Sequence, residues 1–434
     1  MFKKLTIFFA LIILCAAVLP AQRYRIKYSA DEKDPISLEN AIRLALENNY
    51  ELLLAEQDIV IAEQRHKEAR FLYLPQLSVN AGATAYNLDY PVILPENLGL
   101  RYISPEDGHK MSDLFYGAGV SATQYLYTGG RTSSTVSLAN AALKEAMSRY
   151  EAVKSSVIFQ TKQAFLEFMF LKHKEEIIKT AANKARSALP KSSSKKWEQV
   201  LIDADMAGLD AEVSRVEESL NAAHLKFLSV MNKELNSKIA VAGSFDFSPV
   251  EVDPAKITLW AMEFRPELKS ALYKLEMDNI SVKLSMAKRY PDVMLGVGYD
   301  RLGRDNLSNE NFQATLALKL PIGYDYGTQL KQKRAEQRQT VLRRAAIEDA
   351  IRLQVRTAHN NLLYWQKETV ARKAAWDSIR KDIDEIAKSG LKNEEIIKAF
   401  EYYYKTGAGY LEGVKQHLLA LAELELAVGR DIRN

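Results

Sequence analysis

The side chains able to do chemistry are few and scattered. Cysteine occurs once, at Cys15, so neither a disulfide framework nor a thiolate metal site can form within one chain. Histidines stand at 66, 109, 173, 224, 359 and 417, none four residues from another, which leaves no ligating pair on one helical face. There is no nucleophile elbow and no phosphate loop, and Gly407, Gly409 and Gly413 do not make a dinucleotide motif. An enzyme needs converging acid, base and nucleophile, so we expect no catalytic residue, metal or cofactor. Two pairs of carboxylates stand out instead. Asp203 with Asp205, and Glu394 with Glu395, each lie just past a helix break. Standing apart, they are first-turn acids favoured by the helix dipole. Gathered in one place, they would attract cations.

The elements that carry those acids are unusually long. No proline or glycine occurs over 131–188, nor over 328–389. At 1.5 Å per residue each stretch predicts a helix of roughly 85–90 Å, far beyond the usual globular length. The second carries a 3–4 spacing of Ile347, Ile351, Val355, Ala358, Leu362 and Trp365, continued by Trp376, Ile379, Ile383 and Ile386. That is a coiled-coil seam, interrupted at Thr369 and Arg372. Each long helix breaks once and returns: after Leu189 and Pro190 a helix is expected over about 197–234, and after Gly390 and Leu391 one over about 391–428. In the return helix Gly407, Gly409 and Gly413 would let neighbours pack closely, at about 1 kcal/mol of propensity each.

Composition narrows the class. With 434 residues, 47% hydrophobic, 26% charged and a net charge of +4, the chain is neither disordered nor a bundle of membrane helices, and it offers no basic face for nucleic acid. Residues 1–21 read as a signal peptide, with Lys3 and Lys4 ahead of an apolar run and a cut after Ala21.

The chain is also written twice. Residues 51–75, opening on Glu51-Leu52 and closing on Pro75, match 267–291, from Glu267-Leu268 to Pro291. Gly82 and Gly298 each follow the proline by the same interval. The first repeat spans 22–235, an inter-repeat linker 236–264, and the second repeat 265–434. After each proline come two alternating runs, a strand pair within 76–127 and another within 292–322. On one face lie Leu77, Val79 and Ala81, then Val293, Leu295 and Val297; the other face is rich in glycine, serine and threonine. Runs of about 9–11 residues with period two are the mark of a membrane β-strand, and equally of a half-buried strand in a soluble sheet. Loops are expected at 87–114 and 300–311. The strand-to-helix turns fall at Gly129, Gly130 and Arg131 and at Gly327, followed by helical hairpins over 131–234 and 328–428. A helix over 50–74 and its return partner of about 38 residues together match the 58-residue long helix, and the second repeat does the same. Stacked end to end, two short helices would flank one long one along its length, as in a tube wall.

Four strands cannot close a barrel, since the smallest membrane barrels use about eight. An open edge in lipid leaves backbone groups unpaired at several kcal/mol each, so membrane strands here would have to be pooled by several copies.

The order of motifs resembles the TolC family of outer-membrane efflux proteins. It runs Ser37-Leu38-Glu39-Asn40-Ala41, helix, Leu74-Pro75-Gln76-Leu77, strand pair, Tyr127-Thr128-Gly129-Gly130-Arg131, helix, then a second round from Arg265-Pro266-Glu267-Leu268 to Leu426-Ala427-Val428-Gly429. The resemblance implies an α+β membrane protein and a homotrimer. Its 12-stranded outer-membrane β-barrel would continue into a periplasmic α-helical barrel, with a mixed belt from 22–36, 236–264 and the C-terminus. It implies a passive exit duct for efflux or type I secretion, working with a periplasmic membrane-fusion adaptor and an inner-membrane pump of RND or ABC type. The tips at Leu189, Pro190, Gly390 and Leu391 would face adaptor and pump. In the best-known member of that family, aspartates just past the second tip form a cation-binding constriction. The matching positions here hold Ile396 and Ala399, so Glu394, Glu395, Asp203 and Asp205 become the candidates. The rival reading is an exported coiled-coil scaffold or adhesion protein with a small soluble sheet.

Overall fold

The computed structural model describes residues 35–88, 111–189, 196–304, 307–322, 325–386 and 393–432. The expected signal peptide, Pro190, Gly390 and Leu391 lie outside them. In chain order the elements are α1 (Leu38–Asn48), α2 (Tyr50–Phe71), β1 (Gln76–Leu88), β2 (Met111–Tyr127), α3 (Arg131–Ala188), α4 (Lys196–Val230), α5 (Pro254–Phe264), α6 (Pro266–Ala287), β3 (Asp292–Arg304), β4 (Leu307–Lys319), α7 (Tyr326–Ile386) and α8 (Asn393–Val428).

Local chemistry sets the boundaries. Ser37 caps α1 by accepting from the Asn40 N–H at 3.2 Å. The helix expected over 50–74 stops at Phe71, because the approach to Pro75 takes the chain into a turn. The linker 236–264 holds a helix of its own, α5. Asp253 accepts from the Ala255 N–H at 2.9 Å and Pro254 occupies the first helical position. Pro266 then holds Arg265 out of the helical region, at ψ 119°, and this ends α5 and starts α6.

The chain divides into two compact units. One takes in the described parts of 1–50, 157–248 and 365–419. Its core packs Phe165, Phe168 and Met169 of α3 against Phe227 and Leu228 of α4 and Met231 just past it, closed by Ile36 and Val241. The Ile36 N–H donates to Ala240 O at 2.8 Å, which ties the start of the first repeat to the linker. A second cluster joins four helices: Ile178 and Ala185 of α3, Ile202, Leu209 and Val216 of α4, Trp376 and Ile383 of α7, and Ile397 and Phe400 of α8. The seven-residue spacing of the α4 members is the coiled-coil period. The interruption expected in the α7 seam is part of the packing. Thr369 is fully buried and its hydroxyl donates to Trp365 O at 2.6 Å, while Arg372 donates to Gly409 O at 3.0 Å. The α8 glycines do allow close approach at two positions. A Cβ on Gly407 would lie 2.7 Å from the Trp376 ring, and one on Gly413 3.1 Å from Thr369, whereas Gly409 meets nothing within 4 Å.

The other unit holds the sheet, within 51–156, 249–364 and 420–434. Its four strands run antiparallel in the order β1-β2-β3-β4. The strands are longer than the sequence suggests, and the loop expected at 300–311 is largely strand. Polar cross-strand pairs carry the ladder on. Arg301 faces Glu310, with N···O 3.8 Å, and Asn311 donates to Asp300 at 3.2 Å. Hydrophobic alternation cannot reveal such pairs.

Candidate functional site: a two-faced sheet and the helix ends beyond it

The register puts the apolar residues of the alternating runs on one side, except Met294 and Ala317, which pair with each other on the other. Leu77 faces Ala122, which faces Val297, which faces Ala314; Val79, Val120, Tyr299 and Phe312 form the next row. Among the described residues no helix covers this face: Leu77 is 76% exposed and Leu316 and Leu318 are 70% exposed. The opposite face pairs Asn80 with Gly119 and Gly296 with Thr315, and joins the Ser78 and Ser121 hydroxyls at 2.6 Å. Glycines make room there, since a Cβ on Gly298 would meet the Gln313 side chain at 3.1 Å.

Aromatic residues bound the apolar face at both ends, which the sequence reading did not pick out. Tyr299 and Phe312 sit one row below the charged Arg301–Glu310 pair, and exposed Tyr73, Tyr127 and Tyr290 lie at the opposite end. A bulge between Tyr125 and Tyr127 shifts the register, so Tyr127 faces Val293 on the apolar side. From Tyr290 to Tyr299 a strand climbs roughly 30 Å, or about 23 Å along the normal at a 40° tilt. A membrane barrel presents an apolar band of about 25 Å between two aromatic girdles. Among the described residues no helix is long and apolar enough to cross a bilayer.

Turns at the aromatic lower rim fix the sheet to its helices. Gly129 and Gly130 have φ of +62° and +84°, and a Cβ on Gly129 would stand 2.5 Å from Tyr290. Arg131 opens α3 and pairs with Asp292 at the start of β3. At Gly327 the φ is ordinary, and the turn is made instead by Asp325, which accepts from the Thr328 N–H at 3.0 Å.

These features have known counterparts. Residues 41–191 match the family described as Outer membrane efflux protein. No curated protein matches the chain. Among solved structures it is similar to the outer membrane protein VceC from Vibrio cholerae, at 15% identity and TM-score 0.74, covering 91% of this chain and 96% of that one. It is likewise similar to the CmeC outer membrane channel of Campylobacter jejuni, at 15% identity and TM-score 0.73, covering 95% and 93%. The open-state MtrE outer membrane channel of Neisseria gonorrhoeae also matches, at 15% identity and TM-score 0.74, over 91% and 89%. The chain has the TolC fold. The family model matches the resemblance read from the sequence over residues 41–191, and the fold agrees with it over nearly the whole chain.

The helix ends bear the acids singled out in this TolC-type chain. Leu189 packs at the margin of the four-helix cluster. Asp203 and Asp205 are exposed on α4, and Asp203 accepts from the Gln199 amide at 2.9 Å. Glu394 and Glu395 are exposed in the first turn of α8. Lys398, one turn on, pairs with Glu394 at 2.5 Å, and Glu394 first and Asp205 more weakly hold its ammonium above the ordinary lysine range. The sequence reading missed this partner, although four-residue spacing announces it. Ile396 is 5% exposed and packed inward beside Ile202, so its side chain serves the core and not an opening. Beside the first tip, Trp197, Val200 and Leu201 form an exposed apolar trio on α4.

Proposed function

We propose that this protein is the outer-membrane exit duct of a tripartite efflux or secretion system, passing substrates that an inner-membrane pump delivers. The sheet carries the reading: an aromatic-bounded apolar face, a polar glycine-rich face and two unpaired edges. A small soluble sheet would bury its apolar face under a helix, so the scaffold reading leaves the exposure of Leu77, Leu316 and Leu318 without a cause. Because β1 and β4 run in opposite directions, β4 of one copy can meet β1 of the next as an antiparallel pair. Three copies then make twelve strands with no edge left in lipid. The helical parts extend into the periplasm, and the ends near Leu189, Pro190, Gly390 and Leu391 meet the membrane-fusion adaptor and the pump. The exposed Trp197 trio supports a docking role there.

The test is direct. The protein should require detergent for release from the outer membrane and give discrete conductance steps in a planar bilayer. A deletion strain should become more sensitive to some exported compound. Release by salt alone, with no conductance, would leave the scaffold.

The same recording examines the constriction, which we assign to Asp203, Asp205, Glu394 and Glu395. Glu394 pairs with Lys398, so the charge of that lysine is answered first on its own helix. Asp205→Asn should lower the cation-to-anion permeability ratio about two- to threefold, read from the reversal potential in a salt gradient. Lys398→Ala, which removes the cation paired with Glu394, should raise it. Unchanged reversal potentials in both variants would remove these carboxylates from the pore.

A further inference from the structure

In the unit that holds the sheet, the helices repeat the order of the strands. Asp58 of α2 acts electrostatically on Arg149 of α3, Ser270 of α6 donates to Glu145 of α3 at 3.0 Å, and Gln337 of α7 donates to Asn279 of α6 at 2.5 Å. The order is therefore α2-α3-α6-α7, and α2 and α7 are outermost just as β1 and β4 are. α2 leads into β1, and α7 follows β4.

Each outer helix buries one heptad stripe within the unit and leaves a second beside it. On α2 the buried stripe includes Leu52, Ala55 and Ala69, and the flank away from Asp58 carries Leu53, Glu56, Val60 and Glu63. On α7 the buried stripe includes Thr340, Ile351 and Val355, and a flank carries Arg334, Arg338, Val341 and Ala345. Both flanks keep the 3-4 spacing of a coiled-coil seam. One is acidic, the other basic. Among the described residues Glu56, Glu63, Arg334 and Arg338 have no hydrogen-bond or ion-pair partner, although α7 is otherwise laced with such pairs. A monomer gives these charges nothing to answer.

Their heights agree. Counted from the start of β1, Glu63 is 13 residues away (76 − 63) and Glu56 is 20 (76 − 56). Counted from the end of β4, Arg334 is 15 (334 − 319) and Arg338 is 19 (338 − 319). Leu53 and Val341 come next, at 23 and 22 by the same count. At 1.5 Å per helical residue these mismatches are about 3 Å or less, within the reach of a side chain. Edge pairing of β4 with the next copy's β1 would bring these two helices side by side.

We propose that α2 of one copy packs along α7 of the next through these stripes, with Glu63 opposite Arg334, Glu56 opposite Arg338 and Leu53 against Val341. This rests on the multi-copy assembly argued above. It names the contact that gives each copy a single correct neighbour: the acidic flank repels another acidic flank, so only the head-to-tail ring satisfies both.

Charge reversal tests it. Glu56→Lys with Glu63→Lys should cut the detergent-stable oligomer at least tenfold, and Arg334→Glu with Arg338→Glu should do the same. All four changes in one chain should restore it, which a purely intramolecular role would not allow because the two flanks lie at opposite ends of the helix layer. As a second readout, Glu63→Cys with Arg334→Cys in one chain should give a disulfide-linked oligomer on mild oxidation, and neither single variant should. Doubles that assemble like the wild type, a quadruple no better than the doubles, or an unlinked cysteine pair would overturn the proposal. If the wild type is an oligomer by mass in each of those cases, the duct reading survives. A wild type that is monomeric in detergent and in vesicles sinks both.

Discussion

Replacing Arg265 by alanine is expected to destabilise the sheet-bearing unit by about 2–4 kcal/mol, from the charge-assisted hydrogen bonds that a buried guanidinium makes. Arg265 is 5% exposed. Its Nε donates to Ala427 O at 2.8 Å, one guanidinium nitrogen to Glu267 at 2.9 Å, and the other to the Gln354 side-chain oxygen. Ala427 is in the last turn of α8, where carbonyls have no intrahelical donor, so the guanidinium completes that helix end. Directly after it Gly429, at φ +79°, lies against the backbone of Phe264 and Arg265, where a Cβ would come within 3.2 Å. One side chain thus ties the end of the second repeat to its beginning and to α7. Without it the Glu267 carboxylate, whose Oε2 is already shielded without a donor among the described residues, loses its cation. Arg265→Lys keeps the charge but cannot reach three acceptors from one fork, so it should recover less than half the loss. The measurement is the denaturation midpoint of the purified protein in detergent. Wild-type midpoints for both variants would show that the C-terminal turn holds without this clamp.

How far the residues announce all this differs from element to element. α3 and α7 are legible because absence of proline and glycine over some sixty positions leaves the backbone no reason to stop. The heptads of α4 are legible for the same reason the fold needs them: Ile202, Leu209 and Val216 recur on the period that keeps a seam facing its partner. Strand extent is less legible. Beyond Tyr299 the ladder continues on Arg301, Glu310 and Asn311, residues that read as loop until their cross-strand partners are known. α5 carried an aspartate cap and a first-turn proline in plain view, yet the prolines around it suggested a connection only. Thr369 and Arg372 looked like flaws in the α7 seam because what they pack against, Gly409 and Gly413, lies about forty residues further along the chain. The acids at the helix ends were found by type and position. The Glu394–Lys398 pair follows from four-residue spacing, whereas the pull of Asp205 on the same lysine does not, since Lys398 and Asp205 come from different helices. Sequence order shows which groups exist; which of them cancel is a property of the folded surface.

The sharpest consequence concerns two adjacent residues on β4. Leu316→Arg should prevent stable insertion, and Thr315→Arg should leave it nearly intact. Leu316 faces Leu295 on the apolar side, with the Leu318 row on one side and the Ala314 and Phe312 rows on the other, so it sits near the middle of the band. An arginine near the midplane of a membrane barrel costs about 2–4 kcal/mol, and three copies would multiply this to roughly 6–12 kcal/mol per assembly. Thr315 points the other way, opposite Gly296, where a Cβ would find only Thr315 itself at 3.9–4.0 Å. An added cation there enters a polar, glycine-lined space and keeps its water. Folding into vesicles, followed by the heat-dependent shift in gel mobility that folded barrels show, separates the two. β-propensity alone predicts nearly equal effects for neighbouring positions on one strand. The opposite ranking, with Thr315→Arg excluded and Leu316→Arg tolerated, would mean that the apolar face meets protein and the glycine face meets the bilayer. The wall of the duct would then have to be redrawn inside out.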